Sequence, residues 1–168
     1  MTTLILTVAG ADRPGLVSAV ADVVDSHGGN WENSQLAELA GTFAGVIEVS
    51  IADDRVDELR AALDALEGML SISVRSGAAP ATPGTGRISL TVLGDDRPGI
   101  VREVSGVLSS HALSIEKMTT VTRDAAMAGG RLFESVVIAG IPASADLDAL
   151  RADIERLTHD LQVDITAM

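Results

Sequence analysis

Hydrophobic positions along the chain switch between a strand period and a helix period in a fixed order. Thr3–Ala9 is an apolar run rich in β-branched residues that stops at Gly10, which predicts a strand. Leu16, Val17, Val20, Val23 and Val24 then recur at helical spacing and predict a helix with one inward apolar face. Pro14 opens it at the favoured first-turn position, and Gly28-Gly29 ends it. A second strand runs to about Leu39, Gly41 turns the chain, and Thr42–Ile51 reads as a third strand. Val56, Leu59, Leu63 and Leu66 mark a second helix, and Met69–Val74 a fourth strand. The order βαββαβ predicts a four-stranded antiparallel sheet with both helices on one face, the ferredoxin-like arrangement.

The same order then returns. Arg87–Leu93 is a strand, and Pro98–His111 a helix with Ile100, Val101, Val104, Val107 and Leu108 inward. Leu113–Thr122 and Leu132–Ala139 are strands, Leu147, Leu150, Ile154 and Leu157 line a last helix, and Leu161–Thr166 closes the sheet. Between the halves, SGAAPATPGTG (Ser76–Gly86) has linker composition. The expected class is α+β, with a first domain at 1–75, a linker at 76–86 and a second domain at 87–168.

The halves are copies of each other. GADRPGLV at Gly10–Val17 returns as GDDRPGIV at Gly94–Val101, and 13 of 26 positions agree between Thr7–Glu32 and Thr91–Glu116. Two small domains of this size are each marginal alone, so the copies are expected to pack on one another. The first-helix faces align at an offset of 84 and the second-helix faces at 91, so the second copy carries seven extra residues, placed around Arg123–Gly130.

Composition removes several function classes. There is no cysteine, hence no disulfide, zinc–thiolate site or thiol nucleophile. A net charge of −12, with no basic stripe, argues against direct nucleic-acid binding. No signal segment and no uncharged run of membrane-spanning length is found, so the expectation is a soluble cytoplasmic protein without a membrane role. No Ser-His-Asp order, metal cluster or glycine-rich phosphate loop has workable spacing, so neither catalysis nor a cofactor is expected.

The repeated turn carries the remaining chemistry. A first helical turn has unpaired N–H groups and a partial positive charge, which suit a carboxylate. Gly15 and Gly99 remove a side chain where a ligand would approach the backbone. Asp12 and Asp96 beside the turn could accept from an ammonium group. Together these would suit a free α-amino acid, although Asp, Pro and Gly at a strand-to-helix turn are also ordinary start signals. Arg13 and Arg97 are taken as solvated. His27 and His111 end the first helix of each copy, where a C-terminal cap is the reading. Glu32 and Glu116 are expected at solvent-facing or edge positions. Gly129-Gly130, with Met127 nearby, reads as a loose hairpin in preference to a flap.

DRPGLV and DRPGIV, the His27-Gly28-Gly29-Asn30 segment, and the third-strand starts Gly41-Thr42-Phe43-Ala44 and Gly130-Arg131-Leu132-Phe133 resemble those of tandem ACT-domain proteins. The extended Met-Ala-Gly-Gly-Arg-Leu-Phe hairpin is most like the glycine cleavage system transcriptional repressor group. The resemblance implies amino-acid binding at a seam, where the first-turn loop of one domain meets the second-strand start of its neighbour. Carried over, one site joins Asp96, Pro98, Gly99 and Ile100 to Asn30. The other joins Asp12, Pro14, Gly15 and Leu16 to Ser114, which lacks the usual amide. The Asn30 site is therefore expected to be the better one. The resemblance further implies a regulatory protein with glycine or serine as ligand and a transcription factor or metabolic enzyme as partner. Covering exposed sheet edges favours a homodimer. The alternatives are a regulatory subunit of an enzyme and a dimerisation module with vestigial sites.

Overall fold

The computed structural model describes residues 1–78, 86–125, 129–157 and 159–168. The chain divides into two compact units, Met1–Ala79 and Pro80–Met168. In the first, β1 (Thr2–Ala11), α1 (Leu16–Ser26), β2 (Asn30–Leu39), β3 (Thr42–Ile51), α2 (Val56–Asp64) and β4 (Ser71–Ser76) follow in order, with a 3-10 turn at Asp53–Arg55 before α2. The second unit holds β5 (Gly86–Asp95), α3 (Ile100–Ser110), β6 (Ser114–Asp124), β7 (Arg131–Ile141), α4 (Leu147–Leu157) and β8 (Leu161–Ala167). The sheets run β2-β3-β1-β4 and β6-β7-β5-β8, and every pairing is antiparallel. Each unit is thus the expected ferredoxin-like βαββαβ fold.

Alternation along the strands builds each core. Leu4, Leu6 and Val8 on β1 and Ile47, Val49 and Ile51 on β3 are buried with Leu16, Val20 and Val24 of α1 and Leu59 and Leu63 of α2. Ile88, Leu90 and Val92 with Ile100, Val104, Leu108, Leu150 and Ile154 repeat the arrangement. Gly10 and Gly94 belong to this packing. A Cβ on Gly94 would lie 2.6 Å from Leu161 Cδ2 and 2.7 Å from the Asp160 carbonyl oxygen. One on Gly10 would lie 2.9 Å from the Met69 carbonyl oxygen, so both copies need glycine where the chain entering the fourth strand crosses the first.

Several expectations are corrected. Helix α1 begins at Leu16, because Gly15 is its N-cap at φ 92°, a left-handed conformation that a continuous helix from Pro14 cannot contain. Gly99 at φ 94° does the same to α3, so Pro98 also stands in the turn before its helix. Val17 and Val101, read as inward, are 43% and 45% exposed, since burial follows every fourth residue from Leu16 and Ile100. Leu147 is likewise exposed, and β4 starts at Ser71, two residues after Met69. Strand pairing runs one residue into the linker segment on each side, through Ser76 and Gly86; residues 79–85 lie outside the described residues.

Register also locates the insertion. Leu39 pairs with Thr42 across two residues, whereas Arg123 pairs with Leu132 across the eight residues 124–131. Six of the extra residues therefore lengthen this hairpin, and one falls between β7 and α4. The Ala125 N–H donates to the Gly130 carbonyl at 3.0 Å, and Met127 lies outside the described residues.

Candidate functional site

Both first-turn loops are built alike. The Asp12 N–H donates to the Gly41 carbonyl at 2.9 Å and the Asp96 N–H to the Arg131 carbonyl at 2.8 Å, so each loop is tied to the tip of its β-hairpin. Neither α1 nor α3 has a side-chain hydrogen bond capping its N-terminus. Their first N–H groups are left to water or a ligand. Asp12, Pro14, Asp96 and Pro98 are exposed at this turn. Leu16 and Ile100 are 3% and 2% exposed with side chains in the cores, so either could serve a ligand only through its backbone.

Their surroundings differ. The Asp12 carboxylate has no ion-pair or side-chain hydrogen-bond partner among the described residues, and the first turn of α1 carries no acid. The second loop is clasped. Arg97 Nη1 donates to Glu103 Oε1 at 3.0 Å and Nη2 to Oε2 at 2.8 Å, with Asp160 Oδ2 3.4 Å from Nη2. The hydrogen bond from Arg97, followed by its charge, holds the Glu103 carboxyl below its usual range, and Glu103 in turn raises the Arg97 guanidinium. Arg131 Nε stands 3.9 Å from Asp96 Oδ2, and its Nη2 donates to Thr122 Oγ1 at 2.6 Å. Arg97, expected to be solvated, is therefore an ion-paired residue with a buried Nε, while Arg13 is exposed.

Asn30 and Ser114 open the second strands, each followed by a β-bulge that contains Glu32 or Glu116. The Asn30 amide donates to Glu32 Oε1 at 2.8 Å, and Ser50 Oγ donates to the same oxygen at 2.6 Å. The Ser50 bond first, then that of Asn30, holds the Glu32 carboxyl low. With its N–H group engaged, Asn30 presents Oδ1 as its free acceptor. In the second unit Arg87 Nε meets Glu116 Oε2 at 2.7 Å, and Ser114 has no side-chain hydrogen bond among the described residues. The first cluster keeps a net negative charge and the second is neutralised.

Within a unit these two halves of the proposed site do not meet. Asn30 pairs with Ser50, which pairs with Thr3 at the start of β1, whereas Asp12 follows the far end of that ten-residue strand. A strand of that length spans about 30 Å.

Sequence reasoning missed Glu103, Arg131 and Asp160. They occupy the positions of Ala19, Gly41 and Met69 in the first copy. Differences between the copies, not their identities, carried the signal. The histidines diverge similarly. Both stand at the C-cap of their helix, but His27 Nδ1 lies 2.7 Å from the Val23 carbonyl oxygen whereas His111 Nε2 lies 2.7 Å from Asp153 Oδ2 on α4. Among the described residues no cluster of three metal-ligating side chains occurs, and no helix is long and apolar enough to cross a membrane.

Residues 2–76 and 88–155 each match the ACT-domain family. The chain is similar to the glycine cleavage system transcriptional repressor of Escherichia coli (strain K12), 27% identical over 162 residues, 94% of this chain and 85% of that protein. A crystal structure of an unknown protein from Galdieria sulphuraria superposes with a TM-score of 0.89 at 27% identity, covering 99% of this chain and 98% of that one. A crystal structure provisionally assigned as a glycine cleavage system transcriptional repressor gives a TM-score of 0.70 at 18% identity, covering 99% and 97%, which is a likeness of fold.

Proposed function

From the premise that the chain belongs to the ACT-domain family as a tandem pair, we propose that it is a non-enzymatic regulatory protein that senses a small amino acid. The observation that carries this reading is the Asp12–Gly15 loop, where a carboxylate with no side-chain partner among the described residues stands beside a helix start whose N–H groups have no side-chain acceptor there. That arrangement complements the two charges of a zwitterion. The likeness to the E. coli repressor along most of the chain supports glycine or serine as ligand and action through a protein partner, in transcriptional control of glycine or one-carbon metabolism.

We assign the ligand to two unequal sites between domains. Asn30 works with Asp96, Pro98, Gly99 and the Ile100 backbone. Ser114 works with Asp12, Pro14, Gly15 and the Leu16 backbone. Asn30 Oδ1, oriented by Glu32, takes the ammonium group, which makes its site the tighter one. Binding that differs between two arrangements of domains or subunits is what would transmit the signal. A homodimer is the working assembly. Isothermal titration of the full chain with glycine and with L-serine tests the assignment. Saturable binding of either supports it, and no heat with both removes the named ligands.

A further inference from the structure

The face of the first sheet turned away from α1 and α2 carries three charged side chains, Glu32 beside Ser50 near one end and Glu48 and Arg75 in the next row. Register places Asn33, Glu48, Ile5 and Arg75 in one row across all four strands. Neighbouring rows on β3, β1 and β4 hold Val46, Thr7 and Ser73, then Ala44, Ala9 and Ser71, all uncharged. Arg75 is exposed and has no ion-pair partner among the described residues. Two strands away, Glu48 lines an open groove of about 400 Å³ with Ile5, Asn33, Gln35 and Val46. Asn33 Nδ2 donates to Glu48 Oε2 at 2.8 Å, and among the described residues no cation reaches that carboxylate. Val46, on the groove wall, is 44% exposed.

We propose that this face packs on the same face of a second copy of the chain, about a twofold axis that runs parallel to β1, over Ile5 and midway between the two sheets. Adjacent strands lie about 4.8 Å apart, so Glu48 and Arg75 flank Ile5 at roughly equal distances. A twofold along the strands turns the face over and exchanges its left and right sides. The second copy's Arg75 then descends over Glu48 into the groove, and its Glu48 meets Arg75 in return. A twofold across the strands would instead set Glu48 against Glu48, so the charges choose between the two symmetries. Sheets stacked face to face sit about 10 Å apart with strands within about 30° of each other, a gap that an arginine spans. Ile5 meets its own copy at the centre. The equivalent row of the second unit is Lys117, Ile138, Ser89 and Thr166, which has no opposed pair, so the interface belongs to the first unit.

This inference gives the homodimer of the proposed function a surface, and it does not depend on the ligand. Sedimentation of the full chain tests it, with circular dichroism confirming that each variant is folded. The wild type sediments as a dimer. Glu48→Arg and Arg75→Glu each weaken dimerisation at least tenfold, and the double variant E48R/R75E recovers it by exchanging the charges. A monomeric wild type, single variants that dimerise normally, or a double variant that stays monomeric would each overturn the proposal. A thermal shift with an amino acid, measured on the same wild type, reports on the ligand separately. Either idea can therefore fail alone.

Discussion

Arg97 grips Glu103 through both terminal guanidinium nitrogens, at 3.0 and 2.8 Å, and this pair separates two loops that are otherwise near copies. In the first unit the same positions hold Arg13 and Ala19, and among the described residues no ion pair clasps the loop. One copy thus keeps a bare helix start and the other a helix start beside a fixed ion pair. The clasp leaves the α3 N–H groups free of side-chain caps, so it shapes the second loop without filling the anion position.

The clasp has a pH signature. The Glu103 carboxyl is held low by Arg97, so its contribution to stability is fully present above the ordinary carboxyl value of 4.5 and is lost as pH falls through the lower folded value. Glu103→Gln keeps the shape and removes that charge. Its thermal stability should fall slightly at neutral pH and converge with the wild type in acid. Melting curves between neutral and strongly acidic pH check this, and parallel curves would count against it.

Gly94 is a packing residue. A Cβ there overlaps both Leu161 and the Asp160 carbonyl, so Gly94→Ala should cost about 1–3 kcal/mol through forced displacement of β8. Urea unfolding measures it. Leu90→Ala, at a position with 0% exposure, should cost about 2–5 kcal/mol and calibrates the scale.

Gly15 tests backbone strain where the space is open. The nearest atom to an added Cβ is Ser18 Oγ at 3.8 Å, so Gly15→Ala meets no clash and only the φ of 92° opposes it. The expected cost is about 1–2 kcal/mol, with Gly15→Asn costing less because asparagine tolerates the left-handed region. Urea midpoints that place alanine and asparagine level with glycine would contradict the strain argument.

Asn30 and Ser114 should differ as ligand residues. Asn30→Ala is expected to weaken amino-acid binding at least tenfold, about 1.4 kcal/mol, and Ser114→Ala to change it much less. Glu32→Ala should also weaken it by releasing the Asn30 amide from its fixed orientation. Titration calorimetry on the three variants measures the order.

The fold was legible because its periods are clean. Leu4, Leu6 and Val8 alternate and Leu16, Val20 and Val24 recur every fourth residue, so each element announced itself. Helix starts were placed two residues early because Pro14 signals a first turn, while the left-handed φ of Gly15 moves the boundary to Leu16. The insertion was counted as seven from helix faces, since that count includes the residue added between β7 and α4. Less of the candidate site was readable. The loops and Asn30 follow from motif positions, and Glu103 stands only six residues after Arg97 on α3, but Asp160 and Arg131 come from two distant segments that only the sheet topology gathers around Arg97 and Asp96. Local patterning has no term for that convergence.

The most direct test of amino-acid sensing uses Trp31, the only tryptophan, which follows Asn30 and packs against the first core. Thermal unfolding followed by its emission would be measured alone and with each of the twenty amino acids. A ligand at a hundred times its dissociation constant stabilises by about 2.7 kcal/mol, a shift of several degrees. The account expects such a shift with one or two small amino acids, glycine or serine among them. An unchanged midpoint with all twenty, at concentrations that would saturate a millimolar site, would contradict it.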